Sequence, residues 1–515
     1  MKRTKILLVD DDKIVLRTIE KLLAREGYEL TVVESGQKAV EISKDIFFDL
    51  IIVDIRMPGM NGIEMIERIK KLQESKVLKS KFMIITGYSD ADSANKASQM
   101  NIYQFLFKPF DKDLFLEAIG VCLRTKEEIE SRIFEEESTI DNQTLIDNFI
   151  KEQEKKNKSF LLNKTLPVMG WYSTYVPEEI IIAAGFLPYR IMGIPIPISF
   201  SKTYLSGNLC SNIQSILECA LNGEYSFLDG MIIGASADAA KRLYDIWLRH
   251  VNISFCHLFD IPKLIDDIAL THYMQSIYAL VEEIERYFKI KISNSSIEEA
   301  ILICNKTRQL LKYLNELRKV DVPPITSQQF LAVCKLAMVG NKKDFNHSLE
   351  VLLSQIRPQE EERQGLRILL TGSFQDQPWF LNIIEEKGGI VVCEDLCTRL
   401  RYFSGLVDED TNPIEAIAKR YINTKPASAN LISLDQRADY LLKLIEEFNI
   451  DGVIYYILKF DDPYLFEFPH MKNILSSYNI PVLRIETEHN TSAIGQIMTR
   501  IQAFMETLKL MRLRK

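Results

Sequence analysis

The sequence has no long uncharged apolar run, although 47% of its 515 residues are hydrophobic. The apolar stretch in the basic start MKRTKILLVDDD is four residues long and ends in three aspartates, so it fits neither a signal peptide nor a membrane span. No later segment approaches about 18 apolar residues without a charge, the minimum for a membrane-spanning helix. We therefore expect a cytoplasmic protein.

Cysteine is scarce, and the 63 lysines and arginines are outnumbered by 71 acidic residues. Eight cysteines are scattered over the whole chain, whereas disulfide-stabilised secreted domains concentrate them in a short one. We therefore expect reduced thiols or metal ligands. The net charge is −8, which argues against nucleic acid as a partner, because proteins that bind phosphate backbones usually carry a basic face.

The length predicts several domains, since roughly 150 residues make one. Residues 1–125 alternate five apolar strands with amphipathic helical stretches, which predicts an α/β fold with a doubly wound, flavodoxin-like (βα)5 sheet. Residues 126–164 are rich in charge and predict a helical linker, either a solvated extension of the preceding helix or a dimerising coiled coil. Residues 165–362 and 363–515 predict two Rossmann-like α/β lobes, with a helical insertion at about 265–357 in the first lobe.

Polar side chains follow several of the N-terminal strands at the point where each strand ends. Asp11 and Asp12 follow the first, and Asp54, Thr86 and Lys108 end the third, fourth and fifth. Parallel strands bring such groups to one edge of the sheet. Carboxylates gathered there would repel one another without a cation, and oxygen ligands suit Mg²⁺. A carboxylate beside that ion can accept a phosphoryl group.

This constellation resembles the receiver domain of two-component response regulators over residues 4–122. The resemblance implies that a sensor histidine kinase or a phosphotransfer protein is the partner. It also implies these roles: Asp54 as phosphoacceptor, Asp11 and Asp12 with Asp54 as Mg²⁺ ligands, and Thr86, Lys108 and Phe105 as the switch residues.

A second set of motifs follows in the remainder of the chain: WYSTYVPEE, NLCSN, EDLCTRLRYF, LKFDDP and IPVLRIETEHN. In this order they resemble the 2-hydroxyacyl-CoA dehydratase and benzoyl-CoA reductase family over about 165–510. The resemblance implies a 4Fe-4S cluster held by three cysteines. The three ligand positions are occupied here by Cys210, Ala237 and Asp461. One thiolate cannot hold a cubane, and a carboxylate is a poor substitute, so we expect the cluster to be absent.

The other cysteines bear on the expectation that the cluster is absent. Rescue of the cluster by Cys393 or Cys397 is an alternative, and we expect Cys219, Cys256, Cys304 and Cys334 to lie in the core.

Further residues match family positions and are candidates to line a cleft between the lobes, although most are expected to be structural: Glu178, Arg242, Arg401, Lys459 and Gln496. No catalytic residue is assigned in this part of the chain.

Three functions are compatible with these patterns. The first is a response regulator in which phosphorylation of Asp54 controls a cluster-free, dehydratase-like module that binds an acyl-CoA or a partner subunit. The second is a dehydratase or reductase subunit with a cluster, gated by the receiver. The third, a DNA-binding regulator, lacks a helix-turn-helix with a basic recognition helix. Members of the dehydratase family work as pairs of subunits, so the resemblance implies a dimer or heterodimer.

Overall fold

The structure is a computed structural model, and the residues it describes are 4–55, 57–73, 80–86, 104–108, 112–123, 141–163, 166–194, 198–357, 365–423, 433–489 and 493–513. The chain divides into two compact units. One comprises residues 1–141 with 351–356, and the other comprises residues 142–350 with 357–515. No helix in the described ranges is long and apolar enough to cross a membrane.

The first unit is a five-stranded sheet in the order β2-β1-β3-β4-β5, with every neighbouring pair parallel. Its strands are β1 Lys5–Val9, β2 Glu29–Val33, β3 Leu50–Asp54, β4 Lys81–Thr86 and β5 Gln104–Phe107. Its described helices are α1 Lys13–Arg25, α2 Gly36–Asp45, α3 Gly62–Gln73 and α4 Lys112–Leu123. The predicted flavodoxin-like fold is confirmed.

Strand alternation explains why this sheet is covered on both faces. In β1, Leu7 and Val9 belong to one buried apolar cluster, whereas Ile6 and Leu8 belong to the other, as expected when successive side chains point to opposite faces. Every residue of β3 is buried. A parallel sheet buried in this way presents the carboxyl ends of its strands at one edge, where polar groups can gather.

Part of the predicted linker is a helix of the second unit. Residues 142–163 form α5 Asn142–Asn163, in which Ile146 and Phe149 are buried. The Nε2 of Gln329 donates to the Asp147 Oδ1 at 2.8 Å. The composition pointed to a solvated helix, but this sparse apolar stripe packs α5 into the second unit. Residues 126–140 and 164 of the predicted linker lie outside the described residues.

The first lobe of the second unit is a parallel sheet in the order β7-β6-β8-β9. Its strands are β6 Val168–Tyr172, β7 Leu187–Arg190, β8 Gly230–Gly234 and β9 Cys256–Phe259, and its helices are α6 Glu178–Ala183, α7 Ser201–Tyr204, α8 Ser211–Leu221 and α9 Asp238–His250. The sequence analysis did not identify the central strand β6. A Cβ at its Gly170 would lie 2.7 Å from Leu228 Cδ1, so close packing explains a glycine inside this strand.

A helical segment and a second lobe complete this unit, except that residues 351–356 at the end of the segment belong to the first unit. The segment contains α10 Asp267–Phe288, α11 Asn294–Glu316, α12 Ser327–Ala337 and α13 Lys342–Gln355, as predicted.

The second lobe is a parallel sheet in the order β11-β10-β12-β13. Its strands are β10 Leu366–Gly372, β11 Gly389–Asp395, β12 Gly452–Leu458 and β13 Val482–Thr487, and its helices are α14 Pro378–Glu386, α15 Leu400–Phe403, α16 Pro413–Asn423, α17 Leu434–Glu447, α18 Asp462–Ser477 and α19 Ile494–Leu513. The predicted pair of α/β lobes is confirmed.

Candidate functional site

Three carboxylates converge at the carboxyl edge of the first sheet. Asp10, Asp11 and Asp54 each offer an oxygen, and these oxygens lie within 4.8 Å of one another. Asp10 and Asp54 are buried, whereas Asp11 is exposed. This donor set fits Mg²⁺, which is commonly held by carboxylate oxygens together with water and phosphate.

A single lysine ammonium bridges the two buried carboxylates. The Lys108 Nζ lies 2.5 Å from Asp10 Oδ2 and 3.2 Å from Asp54 Oδ2. Burial alone would lower the pKa of Lys108, but the hydrogen bond to Asp10 and the charge of Asp54 outweigh it and raise the pKa. The lysine therefore carries its charge next to the two buried carboxylates.

Asp12 does not belong to this carboxylate group, although the sequence analysis named it as a ligand. It is the N-cap of α1, and its Oδ1 accepts from the backbone N–H of Ile14 at 2.7 Å. Asp10 lies in the group instead, because β1 ends at Val9 and Asp10 is the first residue after it. Three consecutive aspartates concealed this division between two carboxylates that lie near Asp54 and one helix cap.

The other two predicted switch residues are only partly described. Thr86 ends β4 and Phe105 lies in β5, where it pairs with Ile84. The side chains of Thr86 and Phe105 lie outside what the structure describes, so their predicted roles stay predictions.

The three positions of the second predicted site share one structural role. Cys210, Ala237 and Asp461 are the N-cap residues of α8, α9 and α18, and none of them makes a side-chain capping hydrogen bond. Ala237 follows β8 in the first lobe, and Asp461 follows β12 in the second. Two of the three positions therefore follow strands, one in each lobe.

These residues do not fit a cluster that is held by three thiolates. Ala237 has no donor atom, and Cys210 is the single cysteine of the three. Burial raises the pKa of the Cys210 thiol, and the neighbouring Asp461 raises it further. Burial also raises the pKa of Asp461 to about 6, against the lowering effects of Ser373 and Arg401. This environment disfavours the thiolate that an iron–sulfur cluster requires.

The other cysteines do not form a replacement set. Cys393 is completely buried in an apolar cluster, and burial raises its pKa well above the ordinary value. Cys397 is half-buried, and its carbonyl oxygen accepts from Thr174 Oγ1 and from Arg190, each at 3.0 Å. Of the four predicted core cysteines, three are buried and one is half-buried: Cys219, Cys304 and Cys334, and then Cys256.

The backbone at this site is strained on both sides. Ser173, directly after β6, has φ 88°, and Phe460, directly before Asp461, has φ 65°. Left-handed backbone is uncommon in residues other than glycine, and it concentrates at functional sites. Phe460 is also 48% exposed. The residue after Tyr172 and the residue before Asp461 therefore both have left-handed backbone, which is costly for residues other than glycine.

The predicted cleft residues are not gathered in one cleft. Glu178 is buried and accepts from the Tyr402 hydroxyl at 3.0 Å, with Lys342 Nζ at 3.1 Å. Arg401 is buried and makes two hydrogen bonds of 2.8 Å to Asp395.

The remaining three members of that set lie at the surface. Arg242 is exposed beside Asp238 of its own helix, at 3.4 Å. Lys459 pairs with Glu488 at 2.9 Å, and Gln496 is exposed on α19. Buried ion pairing thus accounts for Arg401 and for one carboxylate oxygen of Glu178, whereas the Oε1 of Glu178 is buried without a hydrogen-bond partner.

Sequence reasoning did not find the buried charges that join the lobes. Glu179, next to Glu178 in α6, accepts from the Tyr421 hydroxyl of the second lobe at 3.0 Å and pairs with Arg308. Burial would raise the pKa of Glu179, but Arg308 holds it below its ordinary value. The EE pair in the motif VPEE therefore fastens the first lobe to the second.

Comparison with known proteins gives two family matches. Residues 6–120 match the response regulator receiver domain, and residues 173–508 match the 2-hydroxyglutaryl-CoA dehydratase, D-component. The (R)-phenyllactyl-CoA dehydratase beta subunit of Clostridium sporogenes is 31% identical over 343 residues, which cover 66% of this chain and 91% of that protein. The lactoyl-CoA dehydratase subunit beta of Anaerotignum propionicum is 26% identical over 344 residues, covering 66% of this chain and 91% of that protein.

The N-terminal unit has relatives of another kind. The transcriptional regulatory protein GlrR of Escherichia coli (strain K12) is 34% identical over 122 residues, covering 24% of this chain and 27% of that protein. A solved response regulator receiver domain protein from Clostridium thermocellum is 27% identical, with a TM-score of 0.23, and covers 24% of this chain and 98% of that one.

Proposed function

The chain belongs to the 2-hydroxyglutaryl-CoA dehydratase, D-component, family and carries a response regulator receiver domain at its N-terminus, and from this premise we propose that it is a phosphorelay response regulator with a cluster-free dehydratase-like output. The phosphoryl donor would be a sensor histidine kinase or a phosphotransfer protein, and the location would be the cytoplasm. The output module would bind an acyl-CoA or a dehydratase-type subunit.

The carboxylate group of the first sheet supports the phosphoryl chemistry. An Asp54 oxygen would attack the phosphorus atom of the donor, the bond from phosphorus to the donor nitrogen would break, and an aspartyl phosphate would form. Mg²⁺ held by Asp10, Asp11 and Asp54 would neutralise charge on the phosphoryl oxygens. Lys108, which already contacts Asp10 and Asp54, would pair with a phosphoryl oxygen of the product.

Phosphorylation can be tested with a small donor. Acetyl phosphate with Mg²⁺ should add one phosphoryl group to the wild-type chain, detected by intact mass, and should add none to Asp54→Ala. Chelation of the metal should suppress the modification. Equal labelling of Asp54→Ala and of the wild type would show that the phosphoacceptor is another residue.

The cluster-free state of the output is carried by one observation, namely that Ala237 and Asp461 stand where the family resemblance places cysteines. The test is the content of iron and acid-labile sulfide after purification without oxygen. We expect none. Iron at the stoichiometry of a cubane would overturn this part of the proposal and favour a receiver-gated dehydratase or reductase subunit.

Regulation is tested on the same preparation. An acyl-CoA such as butyryl-CoA is titrated by calorimetry into the unphosphorylated and the phosphorylated chain. A receiver that controls the module should change the affinity or the oligomeric state, because a modification can shift an equilibrium only through a differential interaction with its two states. Identical affinities and identical masses in solution would contradict control by the receiver.

A further inference from the structure

The first unit contains a segment from a distant part of the chain. Residues 351–356 group with residues 1–141, and the side chain of Val351 packs against one of the two apolar clusters of the receiver. The helical members of that cluster are Leu16, Ile19 and Leu23 of α1, and Phe115, Ala118, Ile119 and Cys122 of α4. A residue of α13 therefore helps to cover the receiver core.

The earlier turns of the same helix belong to the second unit, and Phe345 of α13 is buried there. Thr307 Oγ1 of α11 donates to the Asn346 Oδ1 at 2.8 Å, and the Asn346 Nδ2 donates to the Ile303 carbonyl oxygen at 3.0 Å. Because α13 is one continuous helix with internal hydrogen bonds from Lys342 to Gln355, its last turn cannot move far without the turns before it.

Contacts within the second unit also fasten the chain immediately before and after residues 351–356. Lys306 of α11 pairs with Glu350. The backbone N–H of Arg357 donates to the Asn142 Oδ1 at 3.1 Å, and the Asn142 Nδ2 donates to the Arg357 carbonyl oxygen at 2.7 Å. The segment that packs with the receiver is thus held at both of its ends by residues of the second unit.

The carboxylate group of the receiver adjoins the two helices of the same apolar cluster. Helix α1 begins directly after the three aspartates, and α4 begins at Lys112, shortly after Lys108. The Lys108 Nζ lies 2.5 Å from Asp10 Oδ2 and 3.2 Å from Asp54 Oδ2. A phosphoryl group on Asp54 would attract this ammonium away from Asp10. Because a close-packed interior transmits strain, a shift at the start of α1 or α4 would change the packing on Val351.

We propose that residues 351–356 couple the receiver to the dehydratase-like module. Val351 packs on the receiver cluster while Asp54 is unmodified, and phosphorylation of Asp54 weakens that packing. The last turn of α13 then loosens, and the helix carries the change to the contacts of its earlier turns. This inference rests on the proposed function, because it assumes that Asp54 is phosphorylated, and it names the element through which the regulation acts.

Hydrogen exchange of the full chain, read by mass spectrometry, tests the coupling. The chain is compared with and without acetyl phosphate and Mg²⁺, and intact mass reports the phosphorylation of each sample. The contact of one half-buried valine predicts that phosphorylation speeds exchange of peptides spanning 349–357 by about 2-fold to 10-fold. Peptides from α19 should not change, and Asp54→Ala treated in the same way should show no change at 349–357.

A variant tests the same contact from the other side. Val351→Ala should speed exchange at 349–357 without phosphorylation. Coupling is reciprocal, so this variant should also bind beryllofluoride with Mg²⁺, a noncovalent mimic of the phosphoryl group, about 2-fold to 10-fold more tightly than the wild type. Fluorine NMR measures this affinity. His347→Ala, at an exposed residue one turn earlier in α13, is the matched control and should leave the affinity unchanged.

The outcomes separate this inference from the function on which it rests. A chain that is phosphorylated on Asp54 but shows unchanged or slower exchange at 349–357 would overturn the coupling and leave the phosphorelay function intact. Absence of phosphorylation on Asp54 would overturn the phosphorelay function and the coupling together. The exchange of the wild type decides the matter even if Val351→Ala does not fold.

Discussion

The variant Asp461→Asn tests how strongly burial disfavours ionisation of the Asp461 carboxyl, and the structure gives the size of the effect on stability. Burial raises the pKa of Asp461 from its ordinary value of 3.8 to about 6. The difference of about 2 pKa units corresponds to about 3 kcal/mol at 1.36 kcal/mol per unit. Because the residue is half-buried rather than fully shielded, solvent screening reduces the expected cost of ionisation to about 1–3 kcal/mol.

The direction of the pH effect follows from linkage. The pKa in the folded state lies above the unfolded value, so the folded state binds the proton more tightly. The stabilisation from the protonated carboxyl is fully present below about pH 4 and is lost as the pH rises through about 6. Asparagine does not titrate. We therefore expect the free energy of unfolding of Asp461→Asn to exceed that of the wild type by about 1–3 kcal/mol near pH 8, and by much less near pH 4.5.

Urea denaturation followed by tryptophan fluorescence measures the free energy of unfolding of the second unit, for the variant and for the wild type. The chain has three tryptophans, and Trp171, Trp247 and Trp379 all belong to the second unit, so unfolding of the receiver does not contribute. Asp462→Asn, at the exposed neighbouring carboxylate, is the control and should show no such gain. A gap between Asp461→Asn and the wild type that is the same at both pH values would refute the reasoning.

Other variants probe the two sites and the contact between the lobes. Asp10→Ala should prevent labelling by acetyl phosphate, whereas Asp12→Ala should permit it. Asp12→Ala should also lower the free energy of unfolding by about 1 kcal/mol, because α1 loses its cap. Labelling of both variants, or of neither, would contradict the proposed division between a metal ligand and a helix cap. The double variant Ala237→Cys with Asp461→Cys should gain iron and sulfide on anaerobic reconstitution, whereas either single variant should not. Glu179→Ala leaves the buried Arg308 guanidinium without its carboxylate. The variant should lower the free energy of unfolding by about 3–5 kcal/mol, as measured by the same fluorescence assay. A loss below about 1 kcal/mol would show that this pair does not hold the lobes together.

The receiver fold could be predicted because each strand carries its own local signal. All five strands are apolar runs, and the helices between them show amphipathic spacing, so their order along the chain was readable without knowledge of distant contacts. The error at Asp12 arose at a boundary. Whether β1 ends before Asp10 or after it decides which aspartates face the site and which one caps α1, and strand ends are the least certain part of a sequence-based assignment.

The second unit was harder to predict because its charges are satisfied over long distances in sequence. Glu179 and Tyr421 are 242 residues apart, and Glu178 and Tyr402 are 224 apart. A buried carboxylate and a ligand-binding carboxylate look alike in one sequence, so Glu178 was assigned to a cleft. The strand β6 was missed for a related reason, since its glycine is explained by a neighbour 58 residues further along the chain, at Leu228.

Asp12 and Asp461 are both N-cap residues of helices, but their carboxyl groups lie in different environments. Asp12 caps α1 and accepts from the backbone at 2.7 Å, which is the ordinary use of a carboxylate at a helix N-terminus. Asp461 is the N-cap of α18 but makes no capping hydrogen bond. The helix dipole would favour its ionised form by up to about 2 kcal/mol, yet burial prevails and the pKa rises to about 6. Neither capping nor ion pairing therefore accounts for this carboxyl, which hydrogen-bonds with Ser373 instead.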